Sequence, residues 1–72
     1  MAFVSTEIRN LVKIMVNDPA TSLAKILPIY TTLELQALIA TAKFELANTY
    51  MTEEEADLLY TLQLTLENAL RA

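Results

Sequence analysis

The sequence contains no cysteine, no histidine and no glycine. Without cysteine there is neither a disulfide nor a thiolate ligand, and without histidine the commonest metal ligand and general base are missing. Without glycine the Gly-rich loops that cradle phosphates are excluded. The serine and threonine hydroxyls have no imidazole to activate them, so no nucleophilic site is expected. Long apolar runs are lacking as well. Uncharged stretches such as Ile26 to Leu33 and Leu58 to Leu66 fall far short of the roughly 20 residues that cross a bilayer. Met1 to Asn10 places Glu7 before Arg9 where a secretory signal has a basic start and an apolar run, so no signal is expected. A cysteine-free chain suits a reducing compartment, and the expected location is the cytoplasm.

What is present is apolar. Residues of hydrophobic type make up 54% of the 72 and charged ones 19%, respectively above and below the usual range for a soluble domain. A chain this short makes one domain, and a domain of about 60 residues buries only about 60% of the surface its unfolded chain exposes. Small domains usually need a staple, and with disulfides and thiolate or imidazole metal sites gone, oligomerisation remains.

The net charge of −4 is unevenly placed. Up to Thr52, the cations Arg9, Lys13, Lys25 and Lys43 cancel Glu7, Asp18, Glu34 and Glu45. The excess sits in the last segment, where Glu53, Glu54, Glu55, Asp57 and Glu67 face only Arg71. With no basic patch, binding to a phosphate backbone lacks its main driving force.

Periodicity and capping signals predict an all-α fold of four helices in a single domain over residues 1–72. Val4, Ile8, Leu11, Val12, Met15 and Val16 fall on one arc of a first helix over about 4–17, with Ser5 or Thr6 as N-cap. Asp18 before Pro19 reads as the start of a short second helix over about 19–26, and Pro28 holds it to about two turns. Thr31 to Glu34 matches a capping box, with Tyr30 and Leu35 spaced for a hydrophobic staple, and opens a third helix over about 32–50. The box recurs at Thr52 to Glu55 and opens a fourth helix over about 53–70, whose stripe is Leu58, Leu59, Leu62, Leu66, Ala69 and Leu70 and whose Glu67 and Arg71 are spaced as an i,i+4 pair. A link of about three residues between the last two helices forces an antiparallel hairpin.

The third helix is apolar on two opposite faces. At about 100° per residue, Leu35, Leu38, Ile39, Ala42, Leu46 and Tyr50 form one stripe, and Leu33, Ala37, Ala40, Phe44 and Ala47 form another. On the fourth helix, Tyr60 and Leu64 make an i,i+4 pair away from its main stripe. Phe3 and Ile14 fall off the main arc of the first helix and add to this surplus. Either a second chain covers the surplus, or the N-terminal helices fold over the hairpin as a monomeric bundle. The first is the expectation, with Leu33, Ala37, Ala40, Phe44, Ala47, Tyr60 and Leu64 as the dimer or partner interface. The three alanines would admit a helix closely, beside Phe44 and Leu33 as larger anchors.

The acidic cluster Glu53, Glu54, Glu55 and Asp57 is the only candidate for chemistry, and its plain reading is a solvated helix start, so neither a metal nor a cofactor is expected. Residues 20–40 have the outline of a helix-turn-helix, but its reading helix opens with Glu34 and offers only Gln36 and Lys43 as donors, so direct nucleic-acid binding is not expected. Arg9 and Lys13 are the only cations on the polar face of the first helix, too few for a membrane-surface helix. By elimination, the chain is expected to be non-enzymatic: a small acidic helical protein that binds a partner protein and regulates or inhibits it, as a homodimer. A structural subunit of a phage or larger complex and a nucleic-acid-associated regulator are the alternatives.

Overall fold

Local capping begins each of the two long helices where the sequence predicts. The computed structural model describes residues 3–17 and 22–71, and the elements run α1 Thr6–Asn17, α2 Ser22–Ile26, a 3-10 turn Leu27–Ile29, α3 Thr32–Asn48 and α4 Glu53–Arg71. Both capping boxes form. Thr31 Oγ1 accepts from Glu34 N at 3.2 Å while Glu34 Oε1 accepts from Thr31 N at 2.9 Å. The Thr52 and Glu55 pair does the same at 3.2 and 3.1 Å. Each box satisfies two amides that a helix end leaves without partners. Thr31→Ala should therefore lower stability by about 1 kcal/mol, read as a drop of about 4–8 °C in the thermal midpoint.

α1 starts two residues later than periodicity predicts. Ser5 is its cap, its Oγ accepting from Ile8 N at 3.4 Å and its carbonyl from Arg9 N at 3.0 Å. Val4 therefore precedes the helix, and the helical increment that placed it on the buried arc does not apply to it. It is exposed, as is Val16 at the far end. The Asp18–Pro19 start expected for the second helix lies outside the described residues. Its end is as predicted at Ile26, and the chain continues directly into the 3-10 turn, closed by Tyr30 N donating to Leu27 O at 3.0 Å. Pro28 fits there because the first positions of a helical turn need no N–H.

α3 ends at Asn48, where Thr49 turns extended and its N–H closes on Glu45 O. Tyr50, placed by periodicity on the core stripe, lies in the link at residues 49–52 and is 97% exposed. Four residues form that link, against the three expected, and α3 and α4 still pack as the main helical pair. α1, α2 and the 3-10 turn all lean on α4, and α1 also reaches α3. The core combines Ile8, Leu11 and Val12 of α1 with Leu23 and Leu27, the α3 residues Leu35, Leu38, Ile39 and Ala42, and the α4 residues Leu59, Leu62 and Leu66. Leu46, Leu58, Ala69, Leu70 and Ile14 are half-buried against it. Phe3, assigned by periodicity to the outer surplus, is instead one of the largest fully buried side chains. Among the described residues no helix is long and apolar enough to cross a membrane.

Candidate functional site

The two apolar faces of α3 have different fates. Leu35, Leu38, Ile39 and Ala42 are buried, and the opposite stripe is open to water: Leu33 is 77% and Phe44 65% exposed, with Ala37, Ala40 and Ala47 also exposed. The N-terminal helices do not cover this face. Its five residues step by four, three, four and three, the alternation of a coiled-coil seam, with Leu33 and Phe44 as bulky members and alanines between. On one flank of the seam two polar side chains bond within their own helix. Thr41 Oγ1 donates to Ala37 O and Asn48 Nδ2 to Phe44 O, each at 2.9 Å. Covering that flank would leave both of these donors with partners.

Tyr60 and Leu64 are 53% and 44% exposed. On the α4 wheel they lie far round from Leu59, Leu62 and Leu66, so they form a second outward surface on a different helix. The structure thus leaves all seven candidate interface residues accessible, in two sets.

Shallow grooves flank the α3 seam. One, of about 500 Å³, separates it from the start of α1 and is lined by Ser5, Glu7, Glu34, Ala37 and Thr41 among others. The other, of about 360 Å³, separates it from the end of α4 and includes Ala40, Lys43, Glu67 and Arg71. One side of the seam is therefore acidic and the other carries both signs. The Glu67 carboxylate, spaced for Arg71, accepts from Gln63 Nε2 at 2.9 Å. A third groove, about 590 Å³, runs between the 3-10 turn and the C-terminal half of α4, where Tyr30 and Leu35 line it together with Leu27, Ala69 and Leu70 and no charged residue.

Sequence reasoning missed Glu45, which is only 3% exposed. Its Oε1 accepts the Val4 N–H, while Arg9 Nη2 donates to Val4 O at 3.0 Å, so side chains from α3 and α1 satisfy both backbone groups of Val4. Glu45 Oε2 and Arg9 Nε are buried without hydrogen-bond partners among the described residues. This clamp holds the segment ahead of α1 so that Phe3 enters the core. The one signal available was spacing: Glu45 stands seven residues, two helical turns, beyond Leu38 on the core side.

Among the described residues no three histidine, cysteine, aspartate or glutamate side chains gather as a metal site. The acidic first turn of α4 holds Glu53, Glu54 and Glu55, a favourable placement at a helix N-terminus. Compared with protein-family models, curated proteins and solved structures, the chain matches none.

Proposed function

We propose that this chain is a non-enzymatic interaction protein, a small acidic helical protein that binds a partner protein and regulates or inhibits it, acting in the cytoplasm as a homodimer. The observation that carries the reading is the outward face of α3. Apolar side chains from Leu33 to Ala47 lie exposed along about 21 Å of helix, on a helix whose other face is already committed to the core. Removing such surface from water is favourable at about 25 cal/mol per Å², and a contiguous exposed apolar patch is the usual mark of a contact site. Tyr60 and Leu64 supply a second surface, so self-association and partner binding draw on different side chains. The excess of negative charge favours a protein over a nucleic-acid partner.

Sedimentation equilibrium over a hundredfold range of concentration tests the first half of this reading. A stable dimer is expected, and a monomer throughout would overturn the homodimer. Two separate apolar surfaces also suit a subunit of a larger assembly, which growth beyond the dimer would reveal. For the second half, cross-linking in the native host should recover a protein that a Tyr60→Ala, Leu64→Ala double variant fails to recover. Recovery of no protein by the unaltered chain would count against a regulatory partner.

A further inference from the structure

One line of exposed side chains on α4 runs from acidic to apolar to basic. Glu53, Tyr60, Leu64 and Arg71 are all exposed and fall within about 40° of arc at about 100° per residue. The steps between them are seven, four and seven. Leu62 stands midway, so reversing the line about its level sets Glu53 opposite Arg71 and Tyr60 opposite Leu64. Unlike charges meet at both ends and apolar groups at the centre. A contact between identical patches related by a twofold axis requires this kind of complementarity to itself. We propose that the outward face of α4 takes α4 of a second copy of this chain, packed antiparallel about a twofold axis level with Leu62. The inference rests on the assembly reading above, in which two separate surfaces allow growth beyond the dimer, and assigns the α4 surface its occupant.

The flanks of the line agree with its ends. A twofold axis sets each flank of α4 against the same flank of the other copy. On one flank Asp57 comes level with Asn68 of the second copy, whose amide is a donor for the carboxylate. Thr61, near the axis on that flank, already donates to Asp57 O at 2.9 Å. On the other flank Ala56 comes level with Glu67. Asp57 and the second copy's Glu67 share a level but stand on opposite flanks, and Glu67 is turned to Gln63 Nε2 within its own helix. Among the described residues neither Glu53 nor Arg71 has an ion-pair partner. Lys43 lines the same groove as Arg71, so the end of α4 is cationic where its start is acidic. Antiparallel pairing places each acidic start beside the other copy's cationic end. It also holds the two Glu53 carboxylates eighteen residues apart, about 27 Å along the axis, well beyond the Debye length of about 8 Å at physiological salt. Parallel pairing would set start against start. With only Tyr60 and Leu64 as apolar members, against five on α3, the α4 contact forms at higher concentration than the dimer. A partner that uses Tyr60 and Leu64 competes with this growth.

Charge reversal with rescue tests the contact. Glu53→Arg, Arg71→Glu and the double variant alter exposed positions only, and circular dichroism checks that each stays helical. Sedimentation equilibrium at low salt should follow the unaltered chain through the dimer into a second association at higher concentration. Each single reversal sets like charges together at both ends and should weaken that second step by about tenfold. The double variant restores unlike pairs and should recover it to within about threefold. It carries both changes that oppose the helix dipole, so recovery cannot come from a more stable helix. A second step that the single reversals leave unchanged, or that the double variant fails to recover, would overturn the antiparallel register. A dimer that shows no second step at any concentration would overturn the α4 contact and leave the dimeric reading standing. A monomer throughout would overturn both.

Discussion

Replacing Phe44 with glutamate should turn the proposed dimer into a monomer without unfolding it. The side chain is 65% exposed in the single chain, so the substitution touches no core contact, and surface changes of this kind are usually within about 0.5 kcal/mol of neutral. In the proposed dimer the second chain covers this position, where an unpaired carboxylate would lose its water. Leaving a charge buried without a partner costs about 3–5 kcal/mol at each of the two sites of such a dimer, which weakens association by at least about a hundredfold to a few thousandfold. Sedimentation equilibrium reads the dissociation and circular dichroism the retained helix content. A Phe44→Glu chain that remained dimeric would remove this face from the interface. One that unfolded as a dilute monomer would place Phe44 in the core, against its exposure here.

Phe3→Ala should remove a large share of the folding stability, although Phe3 precedes the first helix. Its side chain is among the largest fully buried ones, and phenylalanine-to-alanine changes in a core cost about 3–5 kcal/mol. A chain of 72 residues has about 4–11 kcal/mol in total, at about 0.05–0.15 kcal/mol per residue. The expected loss is thus a large share of the whole, visible as a fall in the urea midpoint. Val4→Ala is the control. Its side chain is exposed, and the bonds from Glu45 and Arg9 go to the Val4 backbone, which alanine retains. It should stay within about 0.5 kcal/mol of the unaltered chain. A loss below about 1 kcal/mol for Phe3→Ala would mean that the clamped segment does not hold its aromatic ring in the core.

These two substitutions separate what neighbours in sequence settle from what neighbours in space settle. The all-α class, the two capping boxes and the starts of α3 and α4 were legible because each depends on groups three or four residues apart. Thr31 with Glu34 and Thr52 with Glu55 close their hydrogen bonds whatever the rest of the chain does. The set of apolar residues with nowhere obvious to go was legible too, because helical periodicity assigns faces from spacing alone. That rule fails outside the helix. Val4 lies before α1 begins and Tyr50 after α3 ends, and both are exposed where the 100° increment had buried them.

The tertiary structure decided which of the two apolar faces of α3 becomes core. Leu35, Leu38, Ile39 and Ala42 turn inward and Leu33, Ala37, Ala40, Phe44 and Ala47 outward, a choice that periodicity leaves symmetric and that the packing of α1 and α4 against one side resolves. Phe3 and Glu45 belong to the same class. The buried positions of an aromatic ahead of the first helix and a carboxylate within the third both follow from the meeting of Val4, Arg9 and Glu45 across 41 positions of chain. Contacts of that separation depend on where whole helices lie, whereas a cap or a stripe depends only on the turn to which it belongs.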